Sequence, residues 1–107
     1  MSTALSRPLA YGYLRMPAAA QRRELLLWHR QLNTYARGQD FILGQVFVET
    51  PTSPEPAFNR LVAQLKQGDA TELLVPTLEH FTRFPSLQDG IVLMLGELGV
   101  RVWLVGD

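Results

Sequence analysis

The sequence contains no cysteine, which rules out disulfides, thiolate metal sites and a cysteine nucleophile. Histidine is scarce: His29 and His80 are too few for a histidine-based metal site without carboxylate help. Net charge is lacking too. Lys+Arg 10 balances Asp+Glu 10, so no overall field draws the molecule onto nucleic acid or a membrane. Lys66 is the sole lysine among those basic residues. No apolar run approaches the roughly 18 residues of a membrane span. The opening MSTALSRPLAYGYLR lacks the basic-then-apolar order of a signal peptide, so the expected location is the cytoplasm, with no membrane partner. Also missing is a glycine-rich turn: Pro17-Ala18-Ala19-Ala20 is no phosphate cradle, and the chain gives no sign of a cofactor or a bound metal.

What is present is enough for one packed core. The chain has 107 residues, 47% of them hydrophobic, which suits a single globular domain. Residues 1–7 read as a loose tail and residues 8–107 as the domain. Leu9, Tyr11 and Tyr13 alternate in a strand over 8–15. Residues 18–37 read as a helix in which Leu25, Trp28, Leu32 and Tyr35 share one face. The opposite side holds Arg22, Arg23 and Arg30, and Gly38 is the expected stop. FILGQVFVE, residues 41–49, is a second strand. A helix opening at Ser53 or Pro54 presents Phe58, Leu61, Val62 and Leu65 and ends at Gly68. ELLVP, residues 72–76, is a short buried strand. Ser86 with Asp89 three residues on resembles a capping box; Leu87, Ile91, Met94, Leu95 and Leu98 of that helix face the core. Gly99 stops it, and VRVWLV is the last strand. Strands alternating with helices predict an α/β fold, a mainly parallel sheet with helices on both faces in three layers.

The turn after the first strand, Arg15-Met16-Pro17-Ala18-Ala19-Ala20-Gln21, holds one arginine that reads as buried and little else of chemical use. A turn there is where an α/β protein usually keeps its chemistry. Three stretches bear on that blankness. Tyr13-Leu14-Arg15-Met16-Pro17, with Gln21 further on, leads into the first helix. Glu55-Pro56-Ala57-Phe58 leads the helix that ends at Gly68-Asp69. Leu78-Glu79-His80-Phe81-Thr82-Arg83 follows the third strand. In order and spacing, over about residues 9–104, the chain resembles the N-terminal catalytic domain of serine recombinases, the resolvases, invertases and larger integrases.

The resemblance implies strand order 2-1-3-4, with a crevice at the carboxyl ends where the order reverses. Arg15-Met16-Pro17 and residues 77–83 should meet there. It also shows where the chain departs from the family. The family's serine attacks a DNA phosphodiester, and Pro17 stands in its place without a hydroxyl. The family's cluster of phosphate-binding arginines keeps only Arg15 and Arg83. Glu55 and His80 take two other arginine positions, and Glu79 takes an aspartate position. Together these form a degenerate site of Arg15, Pro17, Gln21, Glu55, Glu79, His80 and Arg83. Two arginines against two glutamates give phosphate little attraction.

Plainer readings stand beside these. Arg15 and Arg83 are the candidate anion ligands, but an internal ion pair with Glu79 or Glu55 accounts for them as well. Glu79 and His80 suit an acid/base couple, although loop neighbours often point apart. Ser86 reads as a helix cap, His29 as a surface residue, and Trp28 and Trp103 as core or interface. Arg22, Arg23, Arg30 and Arg37 suit nucleic acid or simply a solvated face.

The leading expectation is therefore a catalytically inactive recombinase-like domain, a pseudo-enzyme acting through a protein partner, a second copy among the candidates, with weak or no direct DNA binding. The competing readings are an enzyme, namely a DNA-recombination accessory subunit or a nuclease using another nucleophile, with the Thr77 and Thr82 hydroxyls as candidates, and a small-ligand or nucleotide-binding α/β module. Family members continue from the last strand into a dimer helix and a DNA-binding domain. The sequence stops at Asp107, so neither is expected in this chain.

Overall fold

The computed structural model describes residues 7–17, 22–52 and 54–106. Its elements follow in the order β1 (Leu9–Arg15), α1 (Arg22–Gly38), β2 (Ile42–Glu49), α2 (Ala57–Leu65), β3 (Glu72–Val75), α3 (Pro85–Glu97) and β4 (Arg101–Leu104), with a 3-10 turn at Leu78–His80 after β3. All pairings are parallel, and the sheet order is β2-β1-β3-β4. The α/β class, the parallel sheet and its order agree with the sequence reading.

β1 is central and buried on both sides, so its apolar residues divide between two cores. Tyr11 and Tyr13 pack with Leu61 and Leu65 of α2 and Leu95 of α3. Ala10 and Leu14 pack with Leu32 and Ala36 of α1. Thus α2 and α3 cover one face of the sheet and α1 the other. Gly12 lets α1 come close. A Cβ there would lie 2.8 Å from a Leu32 methyl and 3.2 Å from Val46. At the amino end of the sheet Glu72 is buried but satisfied. Its carboxylate accepts from the Trp103 indole N–H at 2.7 Å and the Thr71 hydroxyl at 2.7 Å, and Arg101 lies 3.4 Å away.

Several local expectations need correcting. Residues 18–21, the expected first turn of α1, lie outside the described residues, as do Ser53 and most of the expected tail. At the other end α1 runs through Gly38, and the left-handed residue is Asp40, with φ 62°; the Phe41 N–H then bonds the Ala36 carbonyl at 2.8 Å. α2 starts at Ala57, later than Ser53 or Pro54, behind Pro56 as its capping residue, because a residue preceding proline is pushed away from helical geometry. The same effect moves the start of α3. Phe84 is extended (φ −94°, ψ 114°), Pro85 takes the first turn, where its missing N–H costs nothing, and Ser86 caps no helix. Leu87, in the first turn of α3, is exposed rather than packed in the core. Gly68 and Gly99 do end their helices, at φ 85° and 81°, a conformation glycine adopts without strain.

Candidate functional site

β1 and β3 are adjacent and parallel, yet the chain leaves them toward different helices. Their carboxyl ends therefore open into the crevice typical of such a reversal. The end of β1 and the 3-10 turn after β3 meet there through three hydrogen bonds, all made by Arg15. Its backbone N–H donates to His80 Nδ1 at 3.0 Å. Its Nε donates to the His80 carbonyl at 3.1 Å, and Nη2 to the Phe81 carbonyl at 3.1 Å. The arginine is exposed rather than buried. Among the described residues no ion pair joins it to Glu55 or Glu79. The expected ion pair is thus replaced by a clamp on main-chain oxygens, which need a donor because a 3-10 turn of three residues leaves its last carbonyls unpaired.

His80 is half-buried while Glu79 remains exposed. The imidazole meets Trp28 edge to face, with ring centres 5.7 Å apart. Burial holds its pKa below the ordinary histidine value, and the Arg15 cation adds to this, against a smaller opposing pull from Glu79. Accepting an N–H at Nδ1 also requires that nitrogen to be unprotonated. Arg83 lies over the Phe84 ring at 5.6 Å from its centre.

Two open clefts flank the clamp. One, of about 420 Å³, is lined by Arg15, Glu79, Thr82, Arg83 and Phe84. It brings a hydroxyl beside both candidate anion ligands, though Thr82 Oγ1 already accepts from the Phe84 N–H at 3.4 Å. The other, about 520 Å³, lies between the ends of β1 and β2 and the start of α2, with Arg15, Pro17, Glu49, Thr50 and Phe58 among its lining. Pro17 faces this second cleft. Glu55 borders neither; it lines a separate hollow with Gln45, Arg60 and Gln64. The structure therefore gathers Arg15, Glu79, His80 and Arg83, sets Pro17 beside them and places Glu55 apart. Gln21 lies outside the described residues.

Glu49 escaped the sequence reading. Its Oε1 accepts the Tyr13 hydroxyl at 3.2 Å and the Phe58 N–H at 3.1 Å. It thereby supplies the first turn of α2 with the acceptor that Pro56 cannot offer. Burial, followed by the Glu49 charge, pushes the Tyr13 pKa up to about 12, so the phenol stays a donor at neutral pH. The available signal was a carboxylate as the last residue of an otherwise apolar strand, at the sheet end where ligands gather.

Among the described residues no group of acidic and histidine side chains is arranged to hold a metal, and no helix is long and apolar enough to cross a membrane. No curated protein matches the chain in sequence. Solved structures resemble it at 20% identity or near it. A resolvase family site-specific recombinase from Streptococcus pneumoniae superimposes with a TM-score of 0.80 at 20% identity, over 94% of this chain and 74% of that one. The C-terminal catalytic domain of ISC1926 TnpA, an IS607-like serine recombinase, gives 0.79 at 19% identity, over 92% and 70%. The N-terminal catalytic domain of TP901-1 integrase gives 0.75 at 16%, over 91% and 76%. At such identities the likeness shows the fold. The family comes from the sequence pattern of the resolvase N-terminal domain, which matches residues 10–107; spanning nearly the whole sheet and its helices, it shows that the chain belongs to the resolvase N-terminal domain family.

Proposed function

We propose that this resolvase-type domain does not cut DNA and acts through contacts with other proteins in the cytoplasm. The clamp on Arg15 carries the reading. The resemblance assigns this arginine to phosphate, but both nitrogens that bond here are committed to the carbonyls of His80 and Phe81. Pro17, at the position the resemblance gives to the nucleophile, has no hydroxyl to attack with. Preorganised cations are the other requirement for phosphoryl chemistry, and losing one such donor commonly costs about a hundredfold or more.

The test is incubation with supercoiled DNA carrying a family-type crossover site, with denaturing gels to detect protein joined to DNA. No adduct is expected from the wild-type chain. None is expected from Pro17→Ser either, since a restored hydroxyl still faces a tied arginine. An adduct from wild type would overturn the reading; one from Pro17→Ser alone would show that the charge around the site is sufficient.

One observation favours a second reading, anion binding with or without chemistry: Thr82 shares a cleft with Arg15 and Arg83. Glu79 borders the same cleft and opposes it. Titration with inorganic phosphate, followed by amide shifts of residues 79–84, separates the two readings.

A further inference from the structure

α1 and α3 lie on opposite faces of the sheet, and each carries an outer surface poorly suited to water. On the far side of α1, Leu26 and Leu27 are 59% and 54% exposed. Arg23 precedes them by about a turn and Arg30 follows by about a turn, both exposed. These two arginines are about 10 Å apart along the axis. On the far side of α3, Leu93 is 72% exposed. Gly90 and Gly96 flank it, and a Cβ on either would meet nothing within 4 Å. Asp89 and Glu97, also exposed, frame this surface about 12 Å apart. Among the described residues none of these four charges has an ion-pair or side-chain hydrogen-bond partner.

The two surfaces are complementary. One runs cation, leucine pair, cation; the other runs anion, leucine between glycines, anion, over nearly the same length. Glycine weakens an exposed helix, but it lets a second backbone approach closely. We propose that α1 of one copy docks on α3 of another, with Arg23 and Arg30 against Asp89 and Glu97 and the exposed leucines buried between them. Like charges keep α1 from α1 and α3 from α3, so the contact joins unlike surfaces. Each docked copy still offers one free α1 and one free α3, and the association continues into a ring or a chain. This goes beyond the proposed function and does not rest on it, because the two faces meet whether or not the domain cuts DNA.

Charge reversal tests it, read by sedimentation velocity of the full chain over a wide concentration range, with circular dichroism to verify folding. Wild type should gain mass with concentration and lose it with added salt. Arg23→Glu with Arg30→Glu, and separately Asp89→Lys with Glu97→Lys, should each weaken self-association at least tenfold. An equimolar mixture of the two variants should associate again, as should the chain carrying all four changes, because opposite charges then face each other. A wild type that stays monomeric at its highest soluble concentration overturns the proposal. So does an oligomer indifferent to both reversals, or a monomer whose Arg23 and Arg30 bind a duplex oligonucleotide instead.

Discussion

Protonating His80 would put a hydrogen on the nitrogen that now receives one from Arg15, and would set two cations side by side. Its folded pKa is lowered while the unfolded chain keeps the ordinary value near 6.5. Below that value the unfolded state binds the proton more readily. Stability is therefore fully present above about pH 6.5 and falls as pH drops through the folded pKa. Urea unfolding at pH 7.5 and at pH 5 should show wild type losing more on acidification than His80→Asn, whose amide oxygen can accept the same N–H without titrating. Equal losses would remove His80 from the account. Both partners of this clamp were visible in the sequence, and the expected meeting of residues 15–17 with 77–83 took place. What the sequence could not give was the acceptor. Main-chain carbonyls belong to every residue, whereas Glu79 and Glu55 advertise themselves, so an ion pair was the natural expectation for Arg15.

Elements that rest on long periodic patterns were easiest to read, and α1 is the example: Leu25, Trp28, Leu32 and Tyr35 all pack toward the sheet. Element ends were harder, because each is decided by one or two local residues. Pro85 displaced Ser86 as the start of α3 in this way. Two packing contacts between elements yield predictions. Gly12→Ala should destabilise the domain by about 1–3 kcal/mol, the usual cost of overpacking, since Leu32 is fully buried and has little room to retreat. Glu49→Ala should cost about 1–2 kcal/mol by removing the acceptor from the first turn of α2, and Glu49→Gln clearly less, because an amide oxygen still accepts. Chemical denaturation measures both; equal effects of the two Glu49 variants would show that its charge, rather than its hydrogen bonds, holds α2 in place.

For the whole molecule, balanced charge sets the expectation for DNA. Binding to duplex by this chain should be no tighter than about 10 μM at physiological salt, at the weak end of non-specific association. A nanomolar gel-shift midpoint would contradict this and direct attention to Arg22, Arg23, Arg30 and Arg37. The architecture as a whole was legible because alternating apolar strands and amphipathic helices leave few ways to bury both. The 3-10 turn and the two separate clefts were not, since they depend on how distant segments come to lie together. That same architecture has a consequence for the nascent chain. β1 is the first of the strands to be synthesised, yet it occupies the middle of the sheet. Its Ala10 must await its partner Glu72 of β3, about 60 residues later, which at roughly 5–20 residues per second means several seconds of translation. Until then Tyr11 and Tyr13 on one side and Leu14 on the other have no complete cover. Parallel pairings between distant residues also close slowly once the chain is free. The domain should therefore spend an unusually long interval with sticky surface exposed, and its yield in cells should depend on chaperones that hold nascent chains.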